Sequence, residues 1–121
     1  MHKVLVVEDE ALLAMDLRAG LEERKCIVTG IAYSGPEAIE KAGASMPNLV
    51  LMDIKLKGEM DGIEAAIQIR DRFGIPIIYL TCNADDGTRQ RAIQTRPLRY
   101  LEKPIETDAL CAIIDEALTT G

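Results

Sequence analysis

The amino-acid sequence predicts an α/β fold, with five parallel strands in one sheet and helices covering both of its faces. Short apolar runs alternate with longer segments of helical periodicity, the rhythm of successive βαβ units. The runs Val4-Leu5-Val6-Val7, Leu49-Val50-Leu51-Met52 and Ile77-Ile78-Tyr79-Leu80 lack polar alternation, as strands buried on both faces do. These runs, and Tyr100-Leu101 after them, end respectively in Glu8-Asp9, Asp53, Thr81 and Glu102-Lys103-Pro104. In a parallel sheet those carboxyl ends share one edge, and in open α/β sheets that edge is where ligands bind.

Strands are placed near 3–8, 26–32, 48–53, 76–81 and 98–102. The second, Ile27-Val28-Thr29-Gly30-Ile31-Ala32, is less purely apolar and is expected nearer a sheet edge. The first helix runs from about Glu10 to Glu23, with Leu13, Leu17 and Leu21 as its apolar stripe. The second opens on Ser34-Gly35-Pro36-Glu37, a capping-box pattern in which Ser34 accepts from an orphan amide and Glu37 reaches back. The third starts after Asp61-Gly62 and is expected to bury Ile63, Ala66, Ile67 and Ile69. The fourth, about 85–94, is nearly all polar and is expected to be the loosest element. The last, from about Thr107 to Leu118, carries Leu110, Ile113, Ile114, Ala117 and Leu118 on one stripe.

At 121 residues the chain suits one domain with a proper core, expected to span 1–121 without repeat or linker. Hydrophobic residues make up 48% and charged residues 28%, the balance of a folded chain, but aromatics are only 3%, so aliphatic residues and Ala must fill the core. No apolar run approaches the roughly 18 residues that span a bilayer. The first strand begins too early to leave room for a signal peptide, so a cytoplasmic setting without membrane insertion is expected. A net charge of −6 disfavours direct nucleic-acid binding, which depends on neutralising phosphates. Cys26, Cys82 and Cys111 lack metal-site spacing and read as reduced, mostly buried thiols.

Asp53 is the central chemical candidate. A carboxylate held at the end of a buried strand can attack phosphorus and form an aspartyl phosphate. Nucleophile and donor are both anionic, so the site needs a cation. Glu8 and Asp9 beside Asp53 make an oxygen-rich pocket suited to Mg²⁺, which relieves the mutual repulsion of the carboxylates. Lys103 adds a fixed positive charge for phosphate oxygens, and Pro104 shapes the turn that aims it. Thr81 offers a hydroxyl expected to bond a phosphate oxygen only once phosphate is present. Together these residues serve phosphoryl transfer onto Asp53, which asks for positioning and charge stabilisation. Taken singly, each has a blander role as a cap, a turn residue or a solvated charge.

These residues and spacings resemble the receiver domain of two-component response regulators, the family of the chemotaxis regulator, from Lys3 to about Thr119. The resemblance implies a flavodoxin-like sheet of order 2-1-3-4-5 with five helices. It implies that Glu8 and Asp9 bind Mg²⁺ together with Asp53 and the backbone carbonyl of Lys55. It also implies that Asp53 accepts phosphate from a histidine kinase or phosphotransfer protein, with Thr81 and Lys103 completing the site. Asp61-Gly62 matches the family's turn ahead of the third helix. The family's switch pairs the Thr with an aromatic on the fifth strand, here Tyr100, which fills the space left when the Thr81 hydroxyl moves to the phosphoryl group.

Several positions depart from the common pattern. Cys82 follows Thr81 where the family has a smaller residue, and the loop 55–60 lacks the frequent Pro and reads one residue longer. By resemblance, Lys55 and Asn83 sit where phosphoryl-group lifetime is set, and Lys55 is a candidate partner for Glu8 or Glu59. Arg89, Arg91, Arg96 and Arg99 are half of all eight arginines and form a basic patch, read either as a solvated face or as a docking surface.

The expected function is that of a stand-alone signalling switch that catalyses only its own phosphorylation and dephosphorylation. It would act on an unknown downstream protein as a monomer or a phosphorylation-dependent dimer. A receiver excised from a larger regulator or hybrid kinase would read the same way. A haloacid dehalogenase-type phosphatase needs a second acid two residues past its nucleophile, where this chain has Lys55. A flavodoxin-like cofactor binder needs a Gly- or Ser-rich phosphate loop, where this chain has Glu8-Asp9-Glu10.

Overall fold

The computed structural model describes residues 1–120. Five strands, β1 (Lys3–Val7), β2 (Ile27–Ala32), β3 (Leu49–Met52), β4 (Ile77–Thr81) and β5 (Arg99–Glu102), form one parallel sheet of order β2-β1-β3-β4-β5. Helices α1 (Ala11–Glu23), α2 (Gly35–Ser45), α3 (Gly62–Phe73), α4 (Asp86–Gln94) and α5 (Thr107–Thr120) alternate with them. This is the flavodoxin-like doubly wound arrangement, and the order reverses beside β1, between β1 and β3. β2 is an edge strand as expected. Its pairing with β1 slips between Val4 and Leu5, where Thr29 is passed over.

The period of two along each strand divides the core into two layers. Leu5, Val7, Val50, Met52, Ile77 and Tyr79 pack against Ala38, Ile39 and Ala42 of α2, Ile63, Ala66 and Ile69 of α3, and Ala92 of α4. Val4, Val6, Leu49, Leu51, Ile78 and Leu80 face Ala14 and Leu21 of α1 with Leu110, Ile114 and Ala117 of α5. β3 and β4 are buried throughout, as their unbroken apolar runs require.

Two helical stripes differ from expectation. Residues four apart drift by about 40° around a helix. In α1 the buried line is therefore Ala14 and Leu21, while Leu13 is 40% exposed. Leu13 instead lines an open cleft beside Glu8 and Lys103 with Leu17, Pro104 and Ile105. In α3 the same drift turns Ile67 outward and leaves Ala65 buried in its place.

Helix starts are capped as their sequences dictate. Ser34 accepts from the Glu37 amide, but Glu37 reaches one residue further back than a capping box, to the amide of Tyr33. The complete capping box lies at α3, where Asp61 accepts from the Glu64 amide and Glu64 from the Asp61 amide. α4 buries only Ala92, the small apolar contact its sequence leads one to expect. Arg70 of α3 donates to the carbonyls of Thr95 and Arg96, and the hydroxyls of Tyr79 and Thr95 bond at 2.7 Å. Polar bonds thus hold the carboxyl end of α4 where apolar area is lacking. Among the described residues, no helix is long and apolar enough to cross a membrane.

The thiols are free, as expected, but less buried than expected: Cys82 is exposed, and Cys26 and Cys111 are half-buried.

Candidate functional site

The carboxyl ends of β1, β3, β4 and β5 bring Glu8, Asp9, Asp53, Thr81 and Lys103 together. Glu8 is 2% exposed and Asp53 7%, a burial that ionised carboxylates tolerate only with partners. Asp53 continues β3, its amide donating to the Val7 carbonyl at 3.1 Å. One carboxylate oxygen, Oδ1, accepts from the Thr81 hydroxyl at 2.9 Å, and the other, Oδ2, from the Lys103 ammonium at 3.1 Å. Lys103 also donates to Glu8 Oε1, and the Glu10 amide donates to Glu8 Oε2 at 3.1 Å.

Burial pushes the Glu8 carboxyl above the usual glutamate range, and the neighbouring Asp53 charge adds to this; the bonds from Lys103 and Glu10 offset part of it. For Lys103, burial works against the charge. The bond to Glu8 and the proximity of Asp53 outweigh it and leave the ammonium more basic than a free lysine. Lys103 is therefore a lasting cation between two carboxylates. Replacing it with Met would leave both buried without a counter-ion. Urea unfolding at neutral pH in chelator should then show a loss of about 3 kcal/mol. An unchanged midpoint would mean that Lys103 is not what holds the cluster together.

One carboxylate oxygen from each of Glu8, Asp9 and Asp53 lies within 4.8 Å of the other two. This all-oxygen donor set, with Asp9 half-exposed toward solvent, suits a hard divalent cation that keeps part of its water. Lys55 lies two residues past Asp53 on an exposed turn. Its side chain is close enough to Asp85 to help hold that carboxyl below its ordinary range, chiefly the work of the Thr88 amide and hydroxyl. Neither Glu8 nor Glu59 takes up Lys55 as a salt-bridge partner among the described residues. The Lys103–Pro104 peptide bond is cis.

Two arrangements go beyond the sequence expectation. The Thr81 hydroxyl donates to the Asp53 carboxylate itself, an acceptor the sequence expectation did not include. The Tyr100 hydroxyl is buried and has no hydrogen-bond partner among the described residues. Burial, with Glu102 adding to it, pushes this phenol above its ordinary range. The Tyr100 ring stacks beneath the Arg89 guanidinium, 5.4 Å from the centroid, and lies 6.3 Å from the Tyr79 ring. Arg91 pairs with Asp61 and Arg99 with Glu116, so the predicted basic patch is partly engaged within the chain.

Gly62 supports the site in a way that composition and periodicity did not reveal. Its amide donates to the Ile54 carbonyl at 2.8 Å, and a Cβ added there would fall 1.9 Å from the Asp53 carbonyl oxygen. Its place after the N-cap Asp61, in the turn that follows Asp53, is the available sequence signal for this close approach.

Residues 4–115 match the family model described as the response regulator receiver domain. The transcriptional regulatory protein PdtaR of Mycobacterium tuberculosis is 38% identical over 118 residues, covering 98% of this chain and 57% of that protein. The phyllosphere-induced regulator PhyR of Methylorubrum extorquens is 32% identical over 120 residues, covering 96% and 43%. The chain thus spans about half the length of these relatives. Among solved structures, the signal receiver domain of a modulated diguanylate cyclase from Desulfovibrio desulfuricans superposes with a TM-score of 0.93 at 38% identity, covering 99% of this chain and 95% of that one. A CheY-like receiver domain protein from Methanospirillum hungatei gives 0.90 at 26% identity, with coverage of 99% and 95%.

Proposed function

The chain belongs to the response regulator receiver domain family, and from that premise we propose that it is a switch that accepts a phosphoryl group on Asp53. The observation that carries this reading is the Asp53 carboxylate itself, held between a hydroxyl and an ammonium beside two further carboxylates. A carboxylate oxygen of Asp53 attacks phosphorus as the bond from phosphorus to the donor breaks. The donor is a histidine kinase or phosphotransfer protein. Lys103 stays in place and transfers its bond from the carboxylate to a phosphoryl oxygen. Glu8, Asp9, Asp53 and, as the resemblance implies, the backbone carbonyl of Lys55 would hold Mg²⁺. When bound, it supplies charge neutralisation for a nucleophile and donor that otherwise repel.

Thr81 needs only to exchange one acceptor for another, from Asp53 to the phosphoryl group. Tyr100, with its hydroxyl already inside, then reports that exchange to the face formed by α4, β5 and α5. The output is altered affinity for a downstream protein, as a monomer or a phosphorylation-dependent dimer in a cytoplasmic setting. The chain acts on no substrate beyond its own phosphorylation and dephosphorylation.

Incubation with acetyl phosphate and Mg²⁺ tests this reading by intact mass. The protein should gain one phosphoryl group, lose it to hydroxylamine as an acyl phosphate does, and gain none in chelator. No gain with acetyl phosphate or a phosphorylated histidine donor would make the site a degenerate one.

A further inference from the structure

Away from the carboxylate cluster, two half-buried thiols lie on the same side of the sheet. Cys26 immediately precedes β2, and Cys111 lies on the second turn of α5. Both pack on the layer of the core formed by α1 and α5. The chain reaches Cys26 through a tight turn in which Lys25 takes φ 68° and the Cys26 amide donates back to the Leu21 carbonyl at 3.0 Å. Arg24 in that turn pairs with Asp108 at 2.5 Å, which clamps it against the first turn of α5. Cys111 is one helical turn beyond Asp108. A Cβ on Gly20 would come within 2.7 Å of the Thr107 side chain, so the end of α1 and the start of α5 are already in close contact. Packed on one layer, with Arg24 and Asp108 tying their segments together, the two thiols are near enough for Cys26 to act on the Cys111 thiol. Nothing in the phosphoryl-transfer chemistry uses them.

We propose that Cys26 and Cys111 form a redox-modification site, closing to an intramolecular disulfide by exchange with a low-molecular-weight disulfide of the glutathione class. The Cys26 thiolate attacks one sulfur of the small disulfide, expels one small thiol and leaves a mixed disulfide on Cys26. Cys111, deprotonated, then attacks the Cys26 sulfur and expels the second small thiol. Two protein thiols are oxidised, one small disulfide is reduced to two thiols, and the two protons leave with them. The surroundings of Cys111 assign it the second step. Burial, and then the neighbouring Cys26, push the Cys111 thiol up to about 11, so it stays protonated while Cys26 is free. Capping Cys26 as a mixed disulfide removes the second of these influences and leaves the first. Cys82, exposed at the other end of the sheet, takes no part in the ring.

The test incubates the reduced full chain with oxidised glutathione, blocks remaining thiols with iodoacetamide and maps tryptic peptides. The expected product is a monomer in which Cys26 and Cys111 are lost to alkylation together and appear in one cross-linked peptide. The C82S variant should form it equally well, and dithiothreitol should reverse it. The cross-link joins distant parts of the chain, so the urea midpoint of the oxidised form should move upward and return on reduction. Stable separate glutathione adducts at 26 and 111, a bridge that includes Cys82, or a disulfide-linked dimer would each overturn the proposal. So would full alkylation of both thiols after exposure.

Discussion

Asp53→Asn should bring phosphoryl uptake from acetyl phosphate down by at least about a thousandfold, because an amide oxygen lacks the charge and nucleophilicity of the carboxylate. The same substitution should raise the stability of the metal-free protein by about 1 kcal/mol, as relief of a strained functional site does. Asn has the size of Asp, and a rotated amide satisfies both neighbours. Its oxygen can accept from Lys103 and its nitrogen can donate to the Thr81 hydroxyl, replacing the two bonds seen now. What disappears is one of the buried negative charges that share the Lys103 ammonium. Burial, with the Asp53 charge adding to it, holds the Glu8 carboxyl above its ordinary range, so the variant's Glu8 should ionise more readily. Intact mass reads the first effect, and urea unfolding in chelator reads the second. Undiminished uptake would move the acceptor to another residue, and a less stable variant would show that the carboxylates are not in conflict.

The second large effect lies in the backbone. Gly62→Ala would place a methyl 1.9 Å from the Asp53 carbonyl oxygen, 2.8 Å from its carbonyl carbon and 2.9 Å from the Ile54 Cα. All three are main-chain atoms, so no side chain can rotate away. Either the start of α3 lifts from the sheet or the Asp53 peptide shifts. The expected loss is at least about 3 kcal/mol. Phosphoryl uptake should also fall by up to about a hundredfold, because Asp53 sits on the displaced peptide. Gly87→Ala in α4 is the control. There the added carbon meets only Asp85 Oδ1 at 3.5 Å, and Ala is the better helix former by about 1 kcal/mol. Equal behaviour of the two variants in urea and in phosphoryl uptake would rule out close approach as the reason for glycine at position 62.

The architecture was legible because local signals agreed. Unbroken apolar runs at Leu49–Met52 and Ile77–Thr81 can only be central strands, and a Thr and a Gly in β2 mark an edge. The site was legible for a related reason. Parallel strands deliver their final residues to one edge, so Glu8, Asp9, Asp53, Thr81 and Lys103 could be assembled without distances. What stayed hidden depended on angles and on long-range neighbours. The drift of residues four apart placed Leu13 and Ile67 on the wrong side of their helices. The partners of Arg70, Arg89 and Lys55 come from other elements, and no periodicity encodes them. The proximity of Cys26 to Cys111 spans most of the chain and follows only once α5 is seated beside the turn after α1. The scarcity of apolar area in α4 was legible, whereas the polar bonds at its carboxyl end were not.

Those bonds make α4 a lever. Its one buried residue, Ala92, and its ties to Tyr79 and Arg70 all fall in its last turn or just beyond it. The Asp85 cap at its other end bonds within the helix, at Thr88, and has only the exposed Lys55 beside it from elsewhere. That end follows Thr81 along the chain, so on the proposed switch a push arriving from the sheet edge would meet the long arm, with the fulcrum near Thr95. A displacement of fixed size there would become a change in the direction of the helix axis rather than a slide along it. The Arg89 side chain above Tyr100 would be carried through the arc.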